Sequence, residues 1–433
     1  MRLLRVANFV TPTSGGIRTA LGALAREYAA CGVEPLLLVP GRRRARRRTP
    51  EGVVATLPGL RLPGTDYRVL VDRAAVRAAV QALAPDAVEV HDRFTLAWLV
   101  PWLRGLGVPA TLVVHERLLT PLRAFAHLPG VVAAPTETEV NRRLADAAGP
   151  VVVASRSVAR TFPDGGAEVV PLGVDRAAFP PASVRPDDAP VRLALVGRLS
   201  VEKAPAEAID AATILIARGH DVHLDVLGDG PLRTRLERRA PWTRTTFHGH
   251  VARDEVARVV AGADAVLAPC PTEAFGLAAL EALASGVPVV AHREGAVPEL
   301  LGLADGVAAA SDGSAPRSWV EPRRREPLVA AAGAATDGAA RDLAAGVEAI
   351  LAVPPARRRV AALDRAARYP WAATAAALLA RAGLAATGSA DSVRVEDTAG
   401  VTRASGGSGA TPPAGASPAP SDRVVRPTRP VRP

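Results

Sequence analysis

Two glutamates eight residues apart, Glu273 and Glu281, bracket the tripeptide Phe275-Gly276-Leu277. Leu277, Leu280, Leu283 and Ala284 recur at helical spacing, so the tripeptide sits where a helix begins. Amide N–H groups there have no intrahelical partner, and the positive end of the helix dipole favours a phosphate. A carboxylate beside bound phosphate is electrostatically costly unless it accepts hydrogen bonds from hydroxyl groups. Phosphate and hydroxyls side by side describe a sugar nucleotide. A second cluster, Arg198 to Lys203, occupies a loop between a strand and a helix. Lys203 is the only lysine among 53 basic residues. A compact ammonium in that loop fits beside a diphosphate where the wide planar fork of arginine does not.

These residues need elements to hold them. Ala265 to Ala268 and Val287 to Ala291 are short apolar runs with the pattern of buried parallel strands, and the helix from about Leu277 to Ser285 joins them into a βαβ unit. Such units bind ligands at the carboxyl ends of their strands. The same strand–loop–helix rhythm recurs along the chain. Leu3 to Phe9 leads through Gly15-Gly16 into a helix over Ile17 to Ala30, and the glycines let backbone amides approach an anion. Leu36 to Val39 is a strand, Val69 to Leu83 a helix, and Ala87 to Val90 and Ala110 to Val114 are strands that end at His91 and His115. Thr95 to Leu106 reads as a helix between those two strands, and Val151 to Ser155 as a further strand. After a proline-rich stretch the rhythm restarts: strand Val191 to Val196, helix Pro205 to Arg218, strand His223 to Leu227, the turn Gly228-Asp229-Gly230-Pro231, helix Leu232 to Arg239, and helix Asp254 to Ala261.

The Glu273 and Glu281 pair around Phe275-Gly276-Leu277, with Gly197-Arg198-Leu199-Ser200-Val201-Glu202-Lys203, resembles the retaining glycosyltransferases of the GT-B class, specifically family 4. The resemblance spans about residues 1–385. It implies an α/β fold of two Rossmann-like domains facing across a cleft: an acceptor domain over 1–180, a hinge over 181–190, a donor-binding domain over 191–368 and a terminal helix over 369–385 that returns to the first domain. The Gly/Ser/Pro/Thr-rich stretch over 386–433 is too poor in apolar surface to order itself and is expected to be a disordered tail. The resemblance also implies roles. Glu273 contacts donor-sugar hydroxyls, Glu281 the nucleotide ribose, Phe275, Gly276 and Leu277 the phosphates, and Gly16 the diphosphate and acceptor. Arg198 and Lys203 neutralise charge growing on the leaving diphosphate, and His115 lies close to the transferred sugar. Ala204 stands where the family usually has glycine, and Leu172 where many members have asparagine. Glu299, after Pro298, matches a family pair for which helix capping or a hinge role is expected before catalysis.

The implied reaction moves a hexose, with mannose from GDP-mannose as the guiding case, to a lipid or glycan acceptor. No resident cofactor is implied, the nucleoside diphosphate sugar being the donor substrate. No Asp-x-Asp triplet occurs, so metal chelation of the other glycosyltransferase architecture is not supported. A sugar-nucleotide epimerase and a non-enzymatic nucleotide- or nucleic-acid-binding protein are the competing readings, though no nucleic acid partner is expected.

At 433 residues the chain is too long for one ordinary core, and 48% hydrophobic residues suffice for two. Its two cysteines, Cys31 and Cys270, form no disulfide or zinc pattern. With no apolar run of membrane-spanning length and no cleavage pattern after Leu3 to Val10, a cytoplasmic protein is expected. The net charge of +10 is carried by arginine, six of them within Arg42 to Arg48. That run cannot pack in a core and is expected to be an exposed loop, free to lie against anionic lipid on the inner membrane face. Ser311 to Gly338 reads as a loose insertion.

Overall fold

The computed structural model describes residues 1–384 apart from 12–14, 64–66, 118–129, 182–188, 241–243, 304–327, 331–332 and 337–338. Most of the expected hinge, most of the 311–338 insertion and the tail lie outside the described residues.

The first domain is built on one sheet: β1 (Arg2–Val6), β2 (Glu34–Gly41), β3 (Ala45–Thr49), β4 (Gly52–Pro58), then, after the short ribbon β5 (Leu60–Arg61) and β6 (Arg68–Val69), β7 (Ala87–Val90), β8 (Ala110–Val114), β9 (Val151–Val153) and β10 (Ala167–Val169). Their order is β10-β9-β8-β7-β1-β2-β4-β3, parallel except where β3 returns against β4. Helices α1 (Gly16–Ala30), α2 (Arg73–Leu83), α3 (Leu99–Gly105), α4 (Gly130–Ala148) and α5 (Arg156–Ala159) complete it. The second domain repeats the plan with β11 (Val191–Val196), β12 (Val222–Leu227), β13 (Thr245–Gly249), β14 (Ala265–Ala268), β15 (Val289–His292), β16 (Leu328–Ala330) and β17 (Gly333–Thr336), ordered β13-β12-β11-β14-β15-β17-β16. Its helices are α6 (Pro205–Ala217), α7 (Arg233–Arg239), α8 (Arg253–Ala261), α9 (Leu277–Ala284), α10 (Val297–Leu301), α11 (Ala340–Leu351) and α12 (Pro355–Ala367). Strand order reverses between β1 and β7 and again between β11 and β14. Those are the switch points at which open α/β sheets bind ligands.

Four expectations need correction. The arginine run is exposed as expected but only half of it is a loop: Arg42 to Arg44 lie outside any strand, whereas Arg46 to Arg48 lie on β3, an edge strand. Charged side chains on such an edge discourage pairing with a second chain. The helix expected from Val69 starts only at Arg73, because Asp72 caps it by accepting the Ala75 amide, and Val69 belongs to β6. The helix expected from Thr95 spans only Leu99–Gly105. Part of the 311–338 insertion is ordered as β16 and β17, which extend the second sheet.

Among the contacts that tie the two halves together, three engage α5, the loop before α9 and the last helix. Glu299 on α10 caps α5 of the first domain, its carboxylate accepting the amides of Arg156 at 2.9 Å and Ser157 at 2.6 Å. That is the capping role expected of it. The Ser155 hydroxyl donates to the Ala274 carbonyl at 2.7 Å, one residue from Glu273. The last helix, α13 (Trp371–Arg381), lies against α1, and its Thr374 hydroxyl donates to the Pro171 carbonyl.

Ala204 adopts φ 48° and ψ 43°, the left-handed region. A side chain there costs roughly 1–2 kcal/mol, partly offset by the greater freedom of glycine in the unfolded chain. Ala204→Gly is therefore expected to stabilise the fold by about 1 kcal/mol. The shift should appear in the urea midpoint with an unchanged denaturation slope; no shift would place the strain elsewhere.

Candidate active site

The carboxyl ends of β1, β8, β11, β12 and β14 converge on one cavity of about 980 Å³, large enough for a drug-sized ligand. Gly16, His115, Arg198, Lys203, Glu273, Phe275, Gly276, Leu277 and Glu281 all line it. Every residue singled out from the sequence as a site candidate thus borders the same space, although these residues come from both domains and span 266 positions of the chain.

The loop after β11 carries Arg198 and Lys203, and its path depends on two glycines of the turn after β12. A Cβ on Gly228 would lie 1.9 Å from the Gly197 carbonyl oxygen, and one on Gly230 2.4 Å from that of Leu199. Only glycine permits the approach. The 3₁₀ turn Val201–Lys203 then aims the lysine inward, and its Nζ sits 2.7 Å from Glu273 Oε2. Burial works against both charges, but the attraction and hydrogen bond between them, together with neighbouring groups, outweigh it. The ammonium is held above its usual range, and the Glu273 carboxyl below its own with the further help of the Phe275 and Ala274 amides. An ammonium has three donors. One serves Glu273, leaving the others for a ligand.

That geometry revises the part expected of Phe275. Its ring is buried, edge-on to Tyr369 at 6.2 Å, and its amide serves Glu273. The amides that remain open to an anion are those in the first turn of α9, where no side chain supplies a cap. Gly276, at φ 97°, starts that helix, and a Cβ there would strike Val297 at 2.8 Å. Across the cleft, Leu277 lies 3.4 Å from the place a Cβ of Gly16 would take. Arg198 is exposed; its guanidinium lies over the Tyr67 ring at 5.7 Å and donates to the Tyr67 hydroxyl at 3.2 Å.

Two profiles match the chain: "Glycosyltransferase Family 4" over residues 14–178 and "Glycosyl transferases group 1" over residues 190–322. It is 39% identical over 412 residues to the GDP-mannose-dependent alpha-(1-6)-phosphatidylinositol dimannoside mannosyltransferase of Mycobacterium tuberculosis, covering 92% of this chain and 99% of that one. The 2-deoxystreptamine glucosyltransferase of Streptomyces kanamyceticus is 30% identical over 64% of this chain and 81% of its own length. The chain is a family 4 glycosyltransferase. Among solved structures, sucrose-phosphate synthase from Thermosynechococcus elongatus superposes with a TM-score of 0.63 at 17% identity, covering 87% of this chain and 97% of that one. The Anabaena protein HepE in complex with UDP gives 0.60 at 18%, covering 88% and 98%. At that identity the likeness concerns the GT-B fold.

Sequence reasoning passed over several residues that line the cavity of this glycosyltransferase, among them Tyr67, Asp229, Cys270 and Val297. Tyr67 follows a stretch with no periodicity, so nothing in the sequence marks it. Asp229 was legible as part of a Gly-Asp-Gly-Pro turn, but not as a cavity wall. Cys270 is buried, and burial pushes its thiol up, away from the reactive thiolate.

Glu281 contrasts with Glu273. Burial pushes its carboxyl up to about 7, against the pull of Arg253 at 3.4 Å. An unfolded chain gives up that proton near pH 4.5. Between about 4.5 and 7 the unfolded state has lost a proton that the folded glycosyltransferase still holds, so stability falls as pH rises through that window. Urea denaturation of wild type and Glu281→Gln should show their stability difference changing by about 3 kcal/mol from pH 4.5 to 7. A difference independent of pH would contradict the buried placement of Glu281.

Proposed function

We propose that this glycosyltransferase moves mannose from GDP-mannose to a lipid-borne glycan acceptor with retention of anomeric configuration and without a divalent metal. The observation that carries the reading is the Lys203–Glu273 pair beside the uncapped start of α9, in a cavity that Glu281 also borders. Lys203, Arg198 and the first-turn amides of α9 face the diphosphate, while Glu273 and Glu281 accept from sugar and ribose hydroxyls. The choice of mannose and of a lipid-borne acceptor is supported by the mannosyltransferase activity for which the mycobacterial relative is named, that relative matching nearly end to end.

Glu273 is engaged with remote hydroxyls and is not the nucleophile. The acceptor hydroxyl attacks the anomeric carbon from the face that the β-phosphate leaves. The C–O bond to the phosphate breaks as the new one forms, and the departing phosphate oxygen takes the proton. Matches to curated glycosyltransferases along most of the chain favour this transfer over epimerisation. The test is transfer from GDP-mannose, UDP-glucose and ADP-glucose to phosphatidylinositol mannosides, with the anomeric configuration of the product read by NMR. The proposal expects an α-mannoside from GDP-mannose, at an undiminished rate in EDTA. A β-linked product, or a rate that EDTA abolishes, would refute the corresponding part.

No described helix is long and apolar enough to cross a membrane. Docking on the inner face is proposed to use the exposed arginines at 42–44 and on β3, each contributing about 1 kcal/mol near an anionic surface. Replacing Arg42, Arg43, Arg44, Arg46, Arg47 and Arg48 by serine is expected to weaken binding to phosphatidylinositol vesicles at least tenfold. Undiminished vesicle sedimentation would remove the proposal.

A further inference from the structure

A hydrogen-bonded row runs from the middle of the first sheet to the cavity. It starts with two opposite charges in facing register, Arg5 on β1 and Glu89 on β7, both fully buried. The Tyr28 hydroxyl donates to Glu89 Oε1 at 2.7 Å, and the Arg5 guanidinium lies 5.8 Å from the Tyr28 ring. Glu89 Oε2 lies 3.2 Å from His91 Nε2, and His91 Nδ1 lies 2.7 Å from His115 Nε2. His115 borders the cavity. With ring centres 5.0 Å apart and planes 16° apart, the two imidazoles meet edge to edge, as a nitrogen-to-nitrogen hydrogen bond requires.

The row dictates where protons reside. A carboxylate only accepts, so His91 Nε2 carries a proton. With that proton on Nε2, a neutral His91 imidazole presents Nδ1 as an acceptor. The proton between the two rings therefore belongs to His115 Nε2. Nδ1 of His115 is the one ring nitrogen left for a ligand, and it bears a lone pair. Burial holds the His115 imidazole down at about 3, which keeps it neutral.

We propose that Glu89 and His91 are positioning residues that lock His115 in the Nε2–H tautomer, so that it meets the donor sugar as an acceptor for one hydroxyl. The tautomer stands on the hydrogen-bonded row alone; the sugar contact rests on the donor reading given above. Nitrogen-15 NMR of the histidine-labelled full chain reads the tautomer without any substrate. The expected result is His115 with a protonated Nε2 and a bare Nδ1. His91→Phe removes the acceptor and should give His115 both tautomers, whereas His91→Asn, whose side-chain oxygen stands near the lost Nδ1, should restore one. With deoxyfluoro GDP-mannose donors, one position should cost the wild type about tenfold in kcat/KM and His91→Phe nothing further. A His115 found with its proton on Nδ1 overturns the lock. Equal losses in wild type and His91→Phe at every sugar position overturn the hydroxyl contact while leaving the lock standing.

Discussion

Replacing Lys203 with alanine is expected to lower kcat/KM for the donor roughly a thousandfold, the upper end of what one preorganised electrostatic group supplies. Two effects add. The substitution removes the cation proposed to lie nearest the diphosphate, and it leaves the Glu273 carboxylate, 2.7 Å from the lost ammonium, unpaired in a partly buried site. The second effect has its own signature. In Lys203→Ala/Glu273→Gln the unpaired charge is gone, so the double variant should lose less than the product of the two single losses. Lys203→Arg keeps the charge but brings a planar fork into a loop whose course is set by glycine contacts, and about a tenfold loss is expected. Steady-state kinetics with GDP-mannose reads all three; additive losses would mean that the pair does not act as a unit.

Glu273→Gln should behave differently. Transfer is expected to fall roughly a hundredfold, because a neutral amide is a weaker acceptor for hydroxyls that must be held as charge develops in the reacting sugar. Binding of GDP alone should stay within about threefold or tighten, since a negative charge beside the phosphates has been removed. Calorimetry of GDP binding beside the transfer assay separates the roles: Lys203→Ala loses both, Glu273→Gln only transfer. Full transfer by Glu273→Gln would remove the sugar from that end of the cavity.

Much of the architecture was legible because parallel sheets announce themselves. Strands such as Val191–Val196 and Ala265–Ala268 are short apolar runs, and each precedes a loop and a helix. That the candidate residues would border one cavity was legible for a related reason. The Glu273 to Glu281 spacing and the lone lysine place charge where the chain leaves its buried strands. What the sequence concealed lacks periodic hydrophobicity. Strand β3 is exposed on both faces, so its arginines carry no alternation. Helix α12 buries Arg358, Ala362 and Ala366, a stripe too small and polar to register as a helical face. The Glu89–His91–His115 row had a faint sign in the opposite charges Arg5 and Glu89 inside two apolar strands, but only the register of β1 against β7 sets them side by side.

The account turns on where the diphosphate binds, and a crystal structure with GDP-mannose measures that directly. The expected complex has the β-phosphate within hydrogen-bonding reach of Lys203 Nζ and the first-turn amides of α9, the sugar against Glu273 and His115, and the ribose at Glu281. A diphosphate bound away from Lys203 and α9, with Glu273 and Glu281 touching no hydroxyl, would contradict it.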